Sequence, residues 1–173
     1  MPVQFDLCRR SIRLRNYDYS AVGGYFVTIC TYQWECLFGE VMAGEMRVNN
    51  AGDCVKTVWD SLPIRYPGIE MDTFIVMPNH IHGIILINHP VGAIHELPLQ
   101  KRRNMLLPMV IGYLKMNSAK RINQYRNNPG APVWQRNYYE RVIRNDRELH
   151  NIRQYIADNP LRWADDENHP GRM

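Results

Sequence analysis

The chain has 173 residues, 45% of them hydrophobic, which suits one domain with a core that needs no disulfide staple. No apolar run approaches the roughly 20 residues of a membrane span, and no basic segment followed by an apolar one opens the chain. A cytoplasmic protein is therefore expected, and secreted or membrane-embedded classes are not. The net charge of +4 is unevenly spread: residues 1–100 carry 7 Lys and Arg against 10 Asp and Glu, whereas residues 101–162 carry 13 against 4.

Residues 9–15 form a short basic segment. Gly23-Gly24 precede Tyr25–Tyr32, a run of β-branched and aromatic residues that predicts a strand. Residues 36–41 and 46–48 predict a hairpin around Ala43-Gly44. Asn49 or Asn50 can cap a helix over 51–62, with Val55, Val58, Trp59 and Leu62 at helical spacing and Pro63 and Pro67 ending it. Strands over 70–77 and 80–88 follow, separated by the tight break Pro78-Asn79, as in an antiparallel hairpin. Residues 89–103, with Pro90, Gly92, Pro98 and Lys101-Arg102-Arg103, read as a loop.

A helix over 104–126 is predicted, with Pro108 in its first turn or before its start. Asn127-Asn128-Pro129-Gly130 stops it, and 132–144 reads as a strand. In the last helix, Asn145 serves as N-cap, Glu148 suggests a capping box, and Leu149, Ile152 and Ile156 form the apolar stripe. Pro160 ends it near Asn159. This order predicts one α+β domain over 1–173: an antiparallel sheet of the ferredoxin-like, split βαβ type with helices on one face.

Cys8, Cys30, Cys36 and Cys54 form no C-x-x-C pair and read as reduced, structural thiols. The basic half interleaves arginines with Trp134, Tyr138, Tyr139 and Trp163, offering cations for phosphates and rings for bases. A solvated, arginine-rich helix face would have the same composition.

Met77-Pro78-Asn79-His80-Ile81-His82-Gly83 carries the chemistry. Side chains alternate along a strand, so His80 and His82 share a face and together make half a metal site. A lone H-x-H also fits satisfied core histidines. On the last helix, Tyr155 and Asn159 are four residues apart and share a face. Tyr155 flanks the Leu149–Ile156 stripe, so on the residues alone edge packing is the favoured reading. His89, His95, His150 and His169 fall in loops or on helix surface.

The histidine stretch resembles the histidine–hydrophobic–histidine (HUH) motif of single-tyrosine transposases. Val133–Glu140, Ile143-Arg144-Asn145 and Tyr155-Ile156-Ala157-Asp158-Asn159-Pro160 resemble the C-terminal signature of the REP-associated tyrosine transposases. Arg13–Tyr19 and Tyr25–Thr31 are similar to the same family, and the likeness runs over about residues 9–165.

The resemblance implies the HUH endonuclease fold, with His80, His82 and Asn159 holding a divalent metal, Mg²⁺ or Mn²⁺, and Tyr155 as nucleophile. It also implies cleavage and rejoining of single-stranded or hairpin DNA through a 5′-phosphotyrosine. The alternative is a domesticated hairpin-binding protein without strand transfer. Tyr138, Tyr139 and Tyr125 compete for the nucleophile's role, but Tyr155 has a polar residue at i+4 within the family motif. Arg136, Arg141 and Arg144 are the candidate phosphate contacts. Relatives of both kinds, dimers that exchange tyrosine helices and monomers, leave a monomer or a homodimer open.

Overall fold

The computed structural model describes residues 17–88 and 105–172. The basic segment 9–15, Cys8 and the loop 89–103 with its Lys101-Arg102-Arg103 run lie outside the described residues.

Among the described residues, six strands and three α-helices follow one another (with short 3-10 turns at 32–34, 160–165 and 170–172): β1 Gly23–Cys30, β2 Gly39–Met42, β3 Glu45–Val48, α1 Asn50–Arg65, β4 Ile69–Met77, β5 His80–Ile87, α2 Leu106–Tyr125, β6 Tyr139–Ile143 and α3 Asp146–Asp158. The main sheet has the order β4-β5-β1-β6 and is antiparallel throughout. β1 and the later β5 lie side by side at its centre, which is the split βαβ arrangement. The small β2–β3 hairpin turns through Ala43 and Gly44, whose φ angles are 52° and 79°. Consecutive left-handed residues suit the right-handed strand twist, and glycine adopts them without strain.

Local signals explain the helix ends. Asn49 caps α1 by accepting from Ala51 N–H and Gly52 N–H. The helix runs past Pro63 to Arg65, because a proline so near the end forgoes one N–H bond while Tyr66 N–H still reaches Leu62 O at 2.8 Å. Asn145 caps α3 by accepting from Glu148 N–H. The Glu148 carboxylate reaches back to Arg144 N–H at 2.9 Å, one residue earlier than in the usual capping box.

The sheet has two covered faces. α1 and α2 pack through Val55, Val58, Trp59, Leu62, Leu107, Val110, Ile111 and Leu114 on Tyr25, Val27, Ile29, Ile81 and Ile85. α3 differs from the expectation of helices on one face: Ile152 and Ile156 pack with Phe26 and Ile84 in a separate cluster. Alternation along β5 sends Ile81, Ile85 and Ile87 to the first cluster, and His80 and His82 therefore to the α3 side. Arg153 ties α3 to strand β4 by a two-pronged pair with Asp72, Nε–Oδ1 2.9 Å and Nη2–Oδ2 2.5 Å.

The segment predicted as one strand over 132–144 is divided. Trp134 forms a single bridge to Thr31, Gln135 N–H reaches Cys30 O at 2.9 Å, and the chain returns to the sheet only at Tyr139. Between the two, Lys115 Nζ donates to the carbonyls of Gln135 and Arg136 and so takes acceptors that a sheet would need.

Candidate active site

His80 opens β5 just after the turn, opposite Cys30 on β1 and Met77 on β4, and His82 pairs with Thr28 and Ile75. Neighbours on both sides bury the two imidazoles to 0% and 2% exposure. Their Nε2 atoms are 3.1 Å apart.

Hydrogen bonds outside the pair fix how it presents itself. The Asn79 amide nitrogen donates to Asn168 O at 2.7 Å and to Trp34 O at 3.2 Å. Asn79 Oδ1 therefore faces His80 Nδ1 at 2.9 Å. An amide oxygen only accepts, so Nδ1 carries the hydrogen and His80 Nε2 presents a lone pair. His82 Nδ1 lies 2.9 Å from Thr28 Oγ1, which can accept a hydrogen in the same way. Phe26 stacks on the His82 ring, centroids 5.4 Å apart, and holds its plane.

Burial pushes His80 down to about 4, against the opposing pull of Asp166. It pushes His82 well below its usual value, helped by His80. Both are neutral at pH 7, as metal ligands must be. In the unfolded chain these histidines take up protons near pH 6.5, earlier than in the folded one. The metal-free protein should thus lose stability as pH falls from 6.5 toward 4. Urea unfolding across this window should be steeper in pH for the parent than for His80→Gln; equal slopes would contradict the buried, neutral histidine.

α3 brings two more groups in from above. The Tyr155 hydroxyl lies 3.4 Å from His82 Nε2, a long contact made within one chain. Tyr155 is 39% exposed, so incoming substrate can reach it. Burial, and then Asp166 and Glu167 nearby, push its hydroxyl up to about 12. One turn later, Asn159 is buried and donates through Nδ2 to Asp166 Oδ2 at 3.1 Å. Its Oδ1 is buried without a hydrogen-bond partner among the described residues. Asp166, on the stretch that follows α3, was not anticipated; ligand atoms of His80, His82 and Asp166 all lie within 4.8 Å of one another.

These residues fit a divalent ion. Two donors at about 2.1 Å from one ion and at right angles sit about 3.0 Å apart, close to the 3.1 Å between the Nε2 atoms. A buried amide oxygen without a donor beside two neutral imidazoles wants a cation. Imidazole and oxygen donors together suit Mn²⁺ or a partly hydrated Mg²⁺.

The other candidates lie apart. Arg141 is on β6 opposite Phe26, on the histidine face, and pairs with Glu148 at 2.5 Å. Arg144 holds the same carboxylate through its backbone. Arg136 lines a groove of about 450 Å³ with Lys115, Trp134 and Tyr138, against α2 and so on the opposite side of the sheet from α3. Tyr139 packs edge-on to Phe26, and the exposed Tyr125 accepts from Asn50. Cys30, Cys36 and Cys54 form no disulfide among the described residues. No helix among the described residues is long and apolar enough to cross a membrane.

A four-stranded antiparallel split-βαβ sheet with two histidines on a central strand, overlain by a tyrosine helix, is the HUH fold. A solved REP-associated tyrosine transposase, described as bound to a REP hairpin, shares this fold at a TM-score of 0.56 and 18% identity, over 87% of this chain and 73% of that one. A Haemophilus influenzae protein described only as uncharacterized is 39% identical over 165 residues, 92% of each chain. A second H. influenzae protein, provisionally named a REP-associated tyrosine transposase, is 30% identical over 99 residues, 56% of this chain and 52% of its own length. No family model matches. The chain is thus a relative, along nearly its whole length, of the uncharacterized H. influenzae protein, and it has the fold of the REP-associated tyrosine transposase.

Proposed function

We propose that this chain is a metal-dependent, single-tyrosine DNA endonuclease and strand transferase acting on single-stranded DNA at hairpin-forming repeats. The observation that carries the proposal is the Tyr155 hydroxyl 3.4 Å from His82 Nε2, beside the buried, partnerless Asn159 Oδ1. His80, His82 and Asn159 would hold Mg²⁺ or Mn²⁺. Bound there, the ion would neutralise charge on the scissile phosphate and make the tyrosine proton easier to lose.

The protein's own part is placement. Tyr155 Oη, once deprotonated, attacks phosphorus; the P–Oη bond forms, the P–O3′ bond breaks, and the 3′ oxygen takes a proton. The products are a 5′-phosphotyrosine and a free 3′-OH. Attack by a 3′-OH on that linkage reverses the step, so joining needs no ATP. A hydroxyl held near 12 is almost wholly protonated at pH 7, which gives the reaction its need for the cation. Because Tyr155 and His82 meet within one chain, one protomer suffices for cleavage. Arg141, at the β6 edge on the histidine side, and Arg144, just past the end of β6, would grip the DNA backbone, and Arg136 a strand that wraps past α2.

The test is a labelled single-stranded hairpin oligonucleotide incubated with the full chain and Mn²⁺, then resolved under denaturing conditions. A protein-linked DNA band should appear, and EDTA should abolish it while leaving hairpin binding in a native gel unchanged. Hairpin binding with no linked band in Mg²⁺ or Mn²⁺ would contradict the proposal and point to a domesticated binding protein.

A further inference from the structure

We infer that Asp166 is a positioning residue that sets the orientation of the Asn159 amide and thereby makes Asn159 Oδ1 a metal donor. This rests on the metal-site reading above. An asparagine amide has two unlike ends: the oxygen can ligate a cation, and the NH₂ group repels one. A carboxylate only accepts, so the Asn159 Nδ2–Asp166 Oδ2 bond of 3.1 Å commits the NH₂ end to the carboxylate and leaves Oδ1 buried and open to a cation. At 2% exposure, Asn159 has no water to turn toward.

Asp166 is itself held. Its Oδ1 accepts from Asn168 N–H at 2.7 Å. Asn168 O accepts in turn from Asn79 Nδ2 at 2.7 Å, and the same Asn79 fixes His80. One buried residue, Asn168, thus joins the group that orients His80 to the group that orients Asn159. Both Asp166 oxygens already receive N–H donors, which fits an outer role better than that of a direct ligand.

The test is Mn²⁺ binding to the full chain by titration calorimetry, without DNA, in a double-mutant cycle. Asp166→Ala should weaken Mn²⁺ about tenfold, the scale on which outer-shell partners act. In an Asn159→Ala background the same change should cost less than about threefold, because the amide it orients is gone. A loss of similar size in both backgrounds would make Asp166 a direct ligand and overturn the inference, as would no loss in the parent background. If Asp166→Ala does not fold, Asp166→Asn keeps the shape but offers one acceptor to two N–H donors, and it should follow the same rule. A parent chain that binds no Mn²⁺ would remove the metal site itself, a failure distinct from a cycle that proves additive.

Discussion

Tyr155→Phe should abolish the protein–DNA linkage, leaving less than about 0.1% of the parent's adduct, with hairpin affinity within twofold. The substitution removes one oxygen and leaves the ring contacts to His82, 5.2 Å, and to Phe26, 6.1 Å, in place. α3 should stay seated, because Ile152, Ile156 and the Arg153–Asp72 pair carry its attachment. Losing the nucleophile of a covalent mechanism costs many powers of ten, beyond the 10²–10³ lost with a single stabilising donor. Adduct formation by Tyr155→Phe at the parent's rate would move the chemistry to another tyrosine. The direction of any pH dependence is also set: burial and Asp166 hold the hydroxyl high, so cleavage should rise with pH through the neutral range.

Gly83→Ala should be the most damaging single methyl in the histidine motif. A Cβ at this position would lie 2.2 Å from Trp59 Cη2 and 2.6 Å from Cζ2. Trp59 cannot retreat, since it is 2% exposed and stacked on Phe74 with ring centroids 4.2 Å apart. Overpacking of this kind costs about 1–3 kcal/mol, and the rigid ring places the cost at the upper end. Urea unfolding should show a lower midpoint at unchanged slope. In a Trp59→Phe background, which removes the ring atoms in the way, the same substitution should cost less than about 1 kcal/mol. An equal cost in both backgrounds would contradict the packing account. Gly83 sits between His82 and Ile84, so the clash on one face displaces a candidate ligand on the other.

The two substitutions show where the sequence was readable. A period of two put His80 and His82 on one face, and a period of 3.6 put Tyr155 and Asn159 on one face. Both follow from local geometry alone. The need for a glycine at 83 did not, because Trp59 arrives from 24 positions earlier through tertiary packing. Asp166 was silent for the same reason: it reaches the histidines only after the chain turns through Pro160–Asp165. Asn79 stood in the motif, but its role depends on Asn168, 89 residues away.

The misread strand over 132–144 has a local cause and a distant one. Its β-forming residues do pair, at Trp134 and again from Tyr139, but Lys115 on α2 takes the carbonyls between. The side of the sheet on which α3 packs follows from topology, not from its apolar stripe. That placement lets the tyrosine helix meet the histidines of its own chain.

The most direct measurement is the site of covalent attachment. The adduct formed with a hairpin oligonucleotide would be trimmed with nuclease, digested with trypsin and read by mass spectrometry. The remaining nucleotide should lie on the peptide spanning residues 154–162, which contains Tyr155 and no other tyrosine. Nucleotide mass on the peptide 137–141, with Tyr138 and Tyr139, or on 122–126, with Tyr125, would contradict the assignment of Tyr155 as nucleophile.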